Sequence, residues 1–262
     1  MRKRDRYTHL LVLASWLVMI LNATVYAETF HLAGDEDEAP FGYINDKKQF
    51  TGIFVDIIRE SFRRMNLDVI HTPYPWARAQ LKLKNREADG IITVVTPERL
   101  TFTVPSTYPL AKFEWVAFAR KDHPRIDRIM KTETIAGFKG FRILDYLGDG
   151  WGEKYLGGLD VERSGSLSAV LKKLALGRGD VFIQPRMITR NTLRQLRHQA
   201  ENNQYNIGAI VNSTKILDTR EFKLLVAKAS PHINILPRFD AALLKMKEDG
   251  TLQNIYNKYI TD

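Results

Sequence analysis

The chain has 262 residues, a formal net charge of +9, 44% hydrophobic residues and no cysteine. This length can bury one large core or two modest ones, and the lack of cysteine excludes disulfides and a lipid-bearing cysteine. The six histidines are scattered without a close pair, and the sequence contains neither a nucleophile motif nor a Walker-type phosphate loop. We therefore expect no catalytic residues, no metal site and no cofactor.

The first 27 residues have the order of a secretory signal peptide. A basic run from Arg2 to Arg6 precedes the apolar stretch Leu10 to Leu21, and Val25-Tyr26-Ala27 precedes a polar segment. The apolar stretch is shorter than the roughly 20 residues of a spanning helix, so we predict cleavage after Ala27, with a retained membrane anchor as the alternative. Removing four basic residues and one aspartate leaves a charge of +6. Export to the periplasm argues against nucleic acid as a partner.

Beyond the leader, the sequence predicts alternating strands and helices. Thr29 to Ala33 alternates as a short strand, and Gly52 precedes apolar residues at helical spacing from Phe54 to Met65. Leu67 to His71 is typical of a second strand, and Pro75 suits the first turn of a short helix. This order indicates a parallel α/β sheet.

One junction between a helix and a strand occurs twice. Residues Lys84 to Ile92 and Ala175 to Ile183 both lead from a helix through an aspartate, Asp89 or Asp180, into a buried strand. The match is short, and chance is the alternative because such junctions are common. The repeat favours two α/β lobes built alike.

Two further strands connect the predicted lobes. Phe113 to Ala119 alternates as a strand leaving the first lobe, and Phe222 to Ala227 resembles one returning, so two crossings form a hinge. Apolar stripes on both sides of Gly250 predict two C-terminal helices that pack back on the first lobe. The predicted organisation is a signal peptide at 1–27, the first part of lobe 1 at 28–112, lobe 2 at 113–221, and the return to lobe 1 with the C-terminal helices at 222–262.

From Ala39 to the C-terminal region, a series of short motifs resembles a known family. The motifs are Ala39-Pro40-Phe41, Gly52 with Asp56, Ala88-Asp89-Gly90, Thr96-Pro97-Glu98-Arg99, Leu176 to Asp180 and Asp249-Gly250-Thr251. In this order and spacing they resemble the family 3 solute-binding proteins of bacterial transport systems, whose best-known members bind polar amino acids. The resemblance implies a type II periplasmic binding fold, in which two similar α/β lobes joined by a two-strand hinge enclose a ligand cleft.

The strand ends of the first lobe carry candidate ligand contacts, because open α/β sheets bind ligands beyond the carboxyl ends of their strands. Helix capping explains Thr96 to Glu98 but not Arg99. The planar fork of Arg99 suits a carboxylate, and the matching arginine of the family binds the ligand's α-carboxylate; a structural salt bridge is the alternative. Trp76 matches an apolar wall of the cleft or is a core residue, and Arg78 is a second anion contact or a solvated helical arginine.

Two positions depart from the family pattern. Val94 stands where a serine or threonine usually bonds the ligand, and Pro185 stands where an aspartate usually holds its α-ammonium. One polar anchor is lost from each lobe, which argues against an α-amino acid bound in the usual way. Glu36, Glu38 and Asp149 are the candidates for a replacement carboxylate, and the sequence leaves the choice among them open.

The remaining candidates lie in lobe 2. Gly150 belongs to a glycine-rich loop whose counterpart in the family offers backbone N–H groups to the ligand carboxylate. We expect Gly150 and Trp151 to line the cleft and Gln184, at the end of a second-lobe strand, to make a polar contact.

These expectations describe a monomeric periplasmic solute-binding protein that is not an enzyme. It closes around a small polar, carboxylate-bearing ligand, amino-acid-like or related, and delivers it to an ABC permease. The first alternative is a sensory protein whose closure signals to a membrane receptor. The second is a cyclohexadienyl dehydratase-like enzyme.

Overall fold

The computed structural model describes residues 29–199 and 204–260. The predicted signal peptide, residues 1–27, lies outside these ranges. The strands are β1 (Phe30–Asp35), β2 (Asp37–Glu38), β3 (Gly42–Ile44), β4 (Phe50–Thr51), β5 (Val69–Tyr74), β6 (Gly90–Val94), β7 (Thr103–Pro105), β8 (Ala111–Arg120), β9 (Arg142–Tyr146), β10 (Asp160–Ser164), β11 (Val181–Pro185), β12 (Ile210–Asn212) and β13 (Asp218–Ala227). The helices are α1 (Ile53–Met65), α2 (Trp76–Lys84), α3 (Pro97–Phe102), α4 (Ile126–Lys131), α5 (Gly150–Tyr155), α6 (Leu167–Ala175), α7 (Arg186–His198), α8 (Leu236–Glu248) and α9 (Thr251–Tyr259).

Ten of these strands form one continuous sheet that runs through both lobes. Its order is β10-β9-β11-β8-β13-β6-β1-β5, with β12 paired to β8 and β7 to β13. Strands β1, β5 and β6 are mutually parallel in one lobe, and β9, β10 and β11 are mutually parallel in the other. A small antiparallel sheet, β2-β3-β4, lies beside the first lobe. The predicted fold of two α/β lobes joined by two strands is confirmed.

The two crossing strands belong to both lobes at once. The first half of β13 pairs antiparallel with β8, from Asp218 opposite Trp115 to Phe222 opposite Ala111. The second half of β13 pairs with β6 of lobe 1, whereas the second half of β8 pairs with β11 of lobe 2. The two-stranded ribbon between these pairings is the hinge.

The aspartate of the repeated junction has the same role in each lobe. The backbone N–H of His31 on β1 donates to Asp89 Oδ2 at 2.8 Å, and that of Arg142 on β9 donates to Asp180 Oδ2 at 2.8 Å. Each aspartate N–H donates in return to the carbonyl of the same partner, at 2.7 and 2.9 Å. Both motifs therefore fix the register between a junction and the first strand of its lobe, a structural role away from the ligand.

The helices of lobe 1 follow the apolar patterns of the sequence. Helix α1 buries its apolar face and ends at Asn66, which adopts a left-handed conformation with φ 51°. The helix predicted around Pro75 begins one residue later, because Pro75 has the extended ψ of 135° and caps α2 from outside. The last helix packs against α1, where the Tyr259 hydroxyl donates to Asp56 Oδ2 at 2.8 Å.

Candidate functional site

The strand ends of the two lobes meet at the hinge. Val94, the last residue of β6, is paired with Phe222 of β13, and Pro185, the last residue of β11, is paired with Trp115 of β8. The loops that follow these strands therefore begin on opposite sides of the same ribbon. This arrangement places the carboxyl ends of the parallel strands of both lobes at one cleft, where open α/β sheets bind ligands.

Arg99 lies in the first turn of α3 and is half-buried. Thr96 caps this helix by accepting from the backbone N–H of Arg99 at 3.2 Å, which fixes the start of the arginine side chain. The guanidinium donates to the Val94 carbonyl at 3.0 Å and to Gln80 Oε1 at 3.1 Å, and it lies 5.6 Å from the centre of the Trp76 ring. These three contacts hold the fork in one orientation.

The charge of Arg99 is not matched by the protein. Within the described ranges, no carboxylate forms an ion pair with its guanidinium. Burial lowers the pKa of Arg99 below its ordinary value, and the neighbouring Glu98 opposes this only through space. A partly desolvated cation held by neutral groups is a favourable site for a ligand carboxylate.

Trp76 and Gln80 lie one helical turn apart on α2, so they share a face that Arg99 covers. Trp76 is half-buried and packs against the apolar cluster of β1, β6 and β13. Arg78 points away from this pair, because it is exposed and makes no side-chain hydrogen bond or ion pair in the described part of the chain.

Glu38 lies on β2, just after the carboxyl end of β1, and faces a small cavity. This cavity, about 10 Å³, is also lined by Asp35, Phe50 and His71, and it has room for about one water molecule. Within residues 29–199 and 204–260 the Glu38 carboxyl makes no hydrogen bond or ion pair. Burial, with a smaller contribution from Asp35, raises the pKa of Glu38 to about 8, so the group is largely protonated at neutral pH.

The acids of lobe 2 are occupied by the protein itself. Asp149 is buried, caps α5 by accepting from Trp151 N at 3.1 Å, and accepts from the Gln184 side-chain amide. Asp145 on β9 is also buried and pairs with Arg163 at 3.2 Å. Burial, reinforced by the nearby Asp149, raises the pKa of Asp145. Asp149 and Gln184 thus bind each other, and their remaining capacity for a ligand is small.

The other two lobe 2 candidates sit at the start of α5. Gly150 is exposed in the first turn. Trp151 stacks on Trp115 of the hinge with ring centres 5.4 Å apart, and its indole N–H donates to Asp218 Oδ2 at 2.7 Å. The indole of Trp151 therefore contacts the hinge.

Sequence reasoning missed Gln80, His71 and Tyr146. Gln80 had a usable signal, because it follows Trp76 by four residues on a predicted helix. Tyr146 ends β9, and burial together with Asp149, Asp145 and Glu38 raises its pKa. No spacing or motif in the sequence singles it out.

Other surfaces carry fewer features of a ligand site. A groove of about 570 Å³ between α1 and α8 is open and lined by paired charged groups such as Arg64 and Asp249, and none of the candidate residues faces it. Among the described residues, no group of three or more His, Cys, Asp or Glu side chains is placed to hold a metal ion. Across those same ranges, every helix is too short or too polar to cross a membrane.

Comparisons with known proteins agree with this architecture. A family model described as bacterial extracellular solute-binding proteins, family 3, matches residues 30–262. No curated protein sequence matches the chain. Among solved structures, the chain is similar to a histidine kinase sensor domain with similarity to periplasmic binding proteins, at a TM-score of 0.68 and 19% identity, covering 89% of this chain and 96% of that one.

Two further structures have the same fold. One is the probable amino-acid ABC transporter extracellular-binding protein ytmK from Bacillus subtilis, at a TM-score of 0.69 and 15% identity, covering 90% of this chain and 99% of that one. The other is AncCDT-1, an ancestral amino acid-binding protein and precursor of cyclohexadienyl dehydratase, at 0.64 and 18% identity, covering 89% and 95%. At these identities the similarity establishes the fold, and the ligand has to be argued from the site.

Proposed function

We propose that this chain, which belongs to family 3 of the bacterial extracellular solute-binding proteins, closes around a small polar ligand whose carboxylate binds Arg99. The observation that carries the proposal is the guanidinium of Arg99, which has no carboxylate partner in the part of the chain that the structure describes and is held by Val94, Gln80 and Trp76 at a strand end. A ligand carboxylate adds the charged partner that these neutral groups lack. The Trp76 ring, on the other side of the guanidinium, forms an apolar wall.

Besides Arg99, the second polar group of the proposed site is Glu38. Of the three carboxylates that the sequence leaves open, Asp149 already caps a helix and binds Gln184, whereas Glu38 is desolvated and makes no bond of its own. We assign Glu38 to the end of the ligand opposite its carboxylate, where a cationic or hydrogen-bond-donating group suits it. Gly150, exposed at the start of α5, is then a secondary contact made as the lobes close. Gln184 and Trp151 are already bound to Asp149 and Asp218, and Arg78 points away from Arg99, so the expectation that these three contact the ligand is not part of the proposal.

A thermal stabilisation screen over amino acids, organic acids and polyamines tests the binding. A ligand at 100 times its Kd stabilises the folded protein by about 2.7 kcal/mol, which raises Tm by about 5–10 °C for a protein of this size. Arg99→Lys keeps the charge but loses the fork, so it should lose most of this increase. Arg128→Lys is the matched control, because Arg128 also stacks on a ring, that of Phe141 at 4.8 Å, and donates to carbonyls. No increase with any class of ligand would refute the proposal.

The charge of the ligand group that binds Glu38 is measurable separately. If a cation pairs with Glu38, its carboxyl must lose the proton that it holds at pH 7. Calorimetry of the hit in two buffers of different ionisation enthalpy should then show release of up to one proton, and Glu38→Gln should abolish the release. Binding without proton release would assign Glu38 a neutral hydrogen bond instead.

The closed form has two possible membrane partners, a permease and a receptor. We propose delivery of the ligand to an ABC permease, the kind of transporter that the name of ytmK indicates for that protein. The histidine kinase sensor domain of the same fold supports signalling to a membrane receptor as the alternative. Permease and ATPase genes beside the gene of this chain would favour uptake, and a sensor kinase gene would favour signalling.

We propose binding without catalysis. The feature that most favours the enzymatic alternative is Glu38, because a carboxyl protonated at neutral pH is what a general acid requires. Similarity to AncCDT-1, the precursor of a dehydratase, adds to the reason for a direct test. Incubation of purified protein with prephenate should leave the substrate unchanged, and turnover lost in Glu38→Gln would establish the enzyme instead.

A further inference from the structure

One face of the hinge ribbon carries a continuous row of aromatic and charged side chains. Because side chains alternate along a strand and opposite residues share a face, Phe113 and Trp115 of β8 lie on the same face as Asp218, Arg220 and Phe222 of β13. The contacts agree with this assignment, with Phe113 and Phe222 stacked at 4.0 Å and Phe113 and Trp115 at 6.4 Å.

The two ends of this row are held by different kinds of contact. At the lobe 1 end, Phe113 and Phe222 pack on the rings of Phe41 and Phe54, at 4.4 and 5.8 Å. Ring packing of this kind tolerates small sliding movements, because the hydrophobic contribution that dominates it is non-directional.

The lobe 2 end is held by directional hydrogen bonds from α5. Trp151 Nε1 donates to Asp218 Oδ2 at 2.7 Å, Arg220 Nε donates to the same oxygen at 2.9 Å, and Arg220 Nη2 donates to the Tyr155 hydroxyl at 2.6 Å. The Arg220 guanidinium also lies 5.2 Å from the Tyr155 ring centre. We call Trp151, Tyr155, Asp218 and Arg220 the hinge clamp.

We propose that the hinge clamp couples the cleft edge of lobe 2 to the hinge and confines bending of the ribbon to its lobe 1 end. Helix α5 starts at the cleft, where Asp149 caps it and binds Gln184, and it contacts the ribbon through Trp151 and Tyr155. A bend at Arg220 would break well-aligned hydrogen bonds, whose energy falls steeply with angle. A bend between Arg220 and Phe222 shifts stacked rings and the exposed ion pair of Lys112 and Glu221 at 3.1 Å, and an exposed pair of this kind contributes little.

The ribbon and lobe 2 therefore move as one body against lobe 1. The clamp sets the balance between open and closed forms, because contacts that differ between two states determine their populations. This inference concerns closure of the proposed binding protein and rests on that function for its purpose, but the geometry of closure is measurable without any ligand.

The test is a distance measurement between the lobes of the ligand-free mature protein. The chain has no cysteine, so Leu81→Cys on α2 and Leu176→Cys beyond α6, at positions 55% and 43% exposed, give two unique sites for spin labels. In this background Arg220→Ala and Tyr155→Phe should shift and broaden the interlobe distance distribution, Tyr155→Phe by the smaller amount. Tyr155→Phe removes one hydroxyl and keeps the ring, so it reports on the clamp even if Arg220→Ala does not fold.

Arg125→Ala is the matched control. Arg125 pairs with Asp180 at 3.1 Å and lies 3.9 Å from the Phe141 ring centre. Like Arg220, it therefore has one aspartate partner and one ring partner, but it lies outside the hinge ribbon. Its distance distribution should match that of the labelled parent. Distributions unchanged in both clamp variants, or changed equally in Arg125→Ala, would overturn the inference. Neither result bears on whether a ligand binds, which the stabilisation screen decides separately.

Discussion

Glu38→Gln is the substitution whose effect the structure defines most sharply. Burial raises the pKa of Glu38 from 4.5 to about 8, and at about 1.4 kcal/mol per pKa unit this corresponds to a destabilisation of about 5 kcal/mol once the group is ionised. That value is a ceiling, because opening of the cleft lets water reach the carboxylate, and we expect to measure about 2–4 kcal/mol. Glutamine has the same shape and no charge, so the variant avoids this loss.

The direction with pH follows from proton binding. Between pH 4.5 and 8 the folded protein holds a proton on Glu38 that the unfolded chain has released, so the stability contributed by this group is present at low pH and is lost as pH rises through that window. Urea unfolding of the mature protein at pH 5, 7 and 9 should show wild type weakening toward pH 9. Glu38→Gln should weaken less, and the two proteins should be close in stability at pH 5.

Glu36→Gln is the matched control for this experiment. Glu36 is two residues away and half-buried, but it does not line the cavity that Glu38 faces. Its substitution should leave the pH dependence of wild type unchanged. Parallel curves for wild type and Glu38→Gln from pH 5 to 9 would refute the burial of this carboxyl.

Three further effects follow from polar groups that the fold holds in place. Burial lowers the pKa of His71 from 6.5 to about 3, so its share of stability is present above pH 6.5 and is lost as pH falls, and His71→Gln should lose less stability than wild type between pH 6 and 4 in urea unfolding. Asp89→Ala and Asp180→Ala each leave a strand N–H without its carboxylate, and each should cost about 2–3 kcal/mol by the same measurement. Gly152→Ala places a methyl group against the buried carboxylate of Asp145, and we expect a loss of about 1–3 kcal/mol, visible as a lower Tm.

The architecture was predictable because it rests on local patterns. The spacing of apolar residues identified α1, and the alternation of Phe113 to Ala119 identified the crossing strand β8. The boundaries were less accurate. β13 begins at Asp218, four residues before the predicted start, because Asp218 to Glu221 pair only with β8 in the ribbon and have no apolar alternation to reveal it.

Of the candidate site, the residues open to prediction were those whose own type carries the chemistry, and less so those whose properties two distant residues create. Arg99 stood out because helix capping explains its neighbours but not its own side chain. The properties of Glu38 depend on the walls of a cavity formed by β1, β5 and the small sheet, which no spacing in the sequence reports. The role of Trp151 similarly depends on Asp218, 67 residues away.

The arrangement of charges in lobe 1 supports the proposal of a ligand with two polar ends. Arg99 and Glu38 both belong to lobe 1, yet they do not pair, because Val94, Gln80 and Trp76 hold the guanidinium while β2 holds the carboxyl over its own cavity. Arg99 therefore keeps a charge that burial disfavours, whereas Glu38 is left in the neutral form that burial favours. In the proposed function, a small molecule with a carboxylate at one end and a cation or donor at the other would satisfy both groups together, and lobe 2 would close over it.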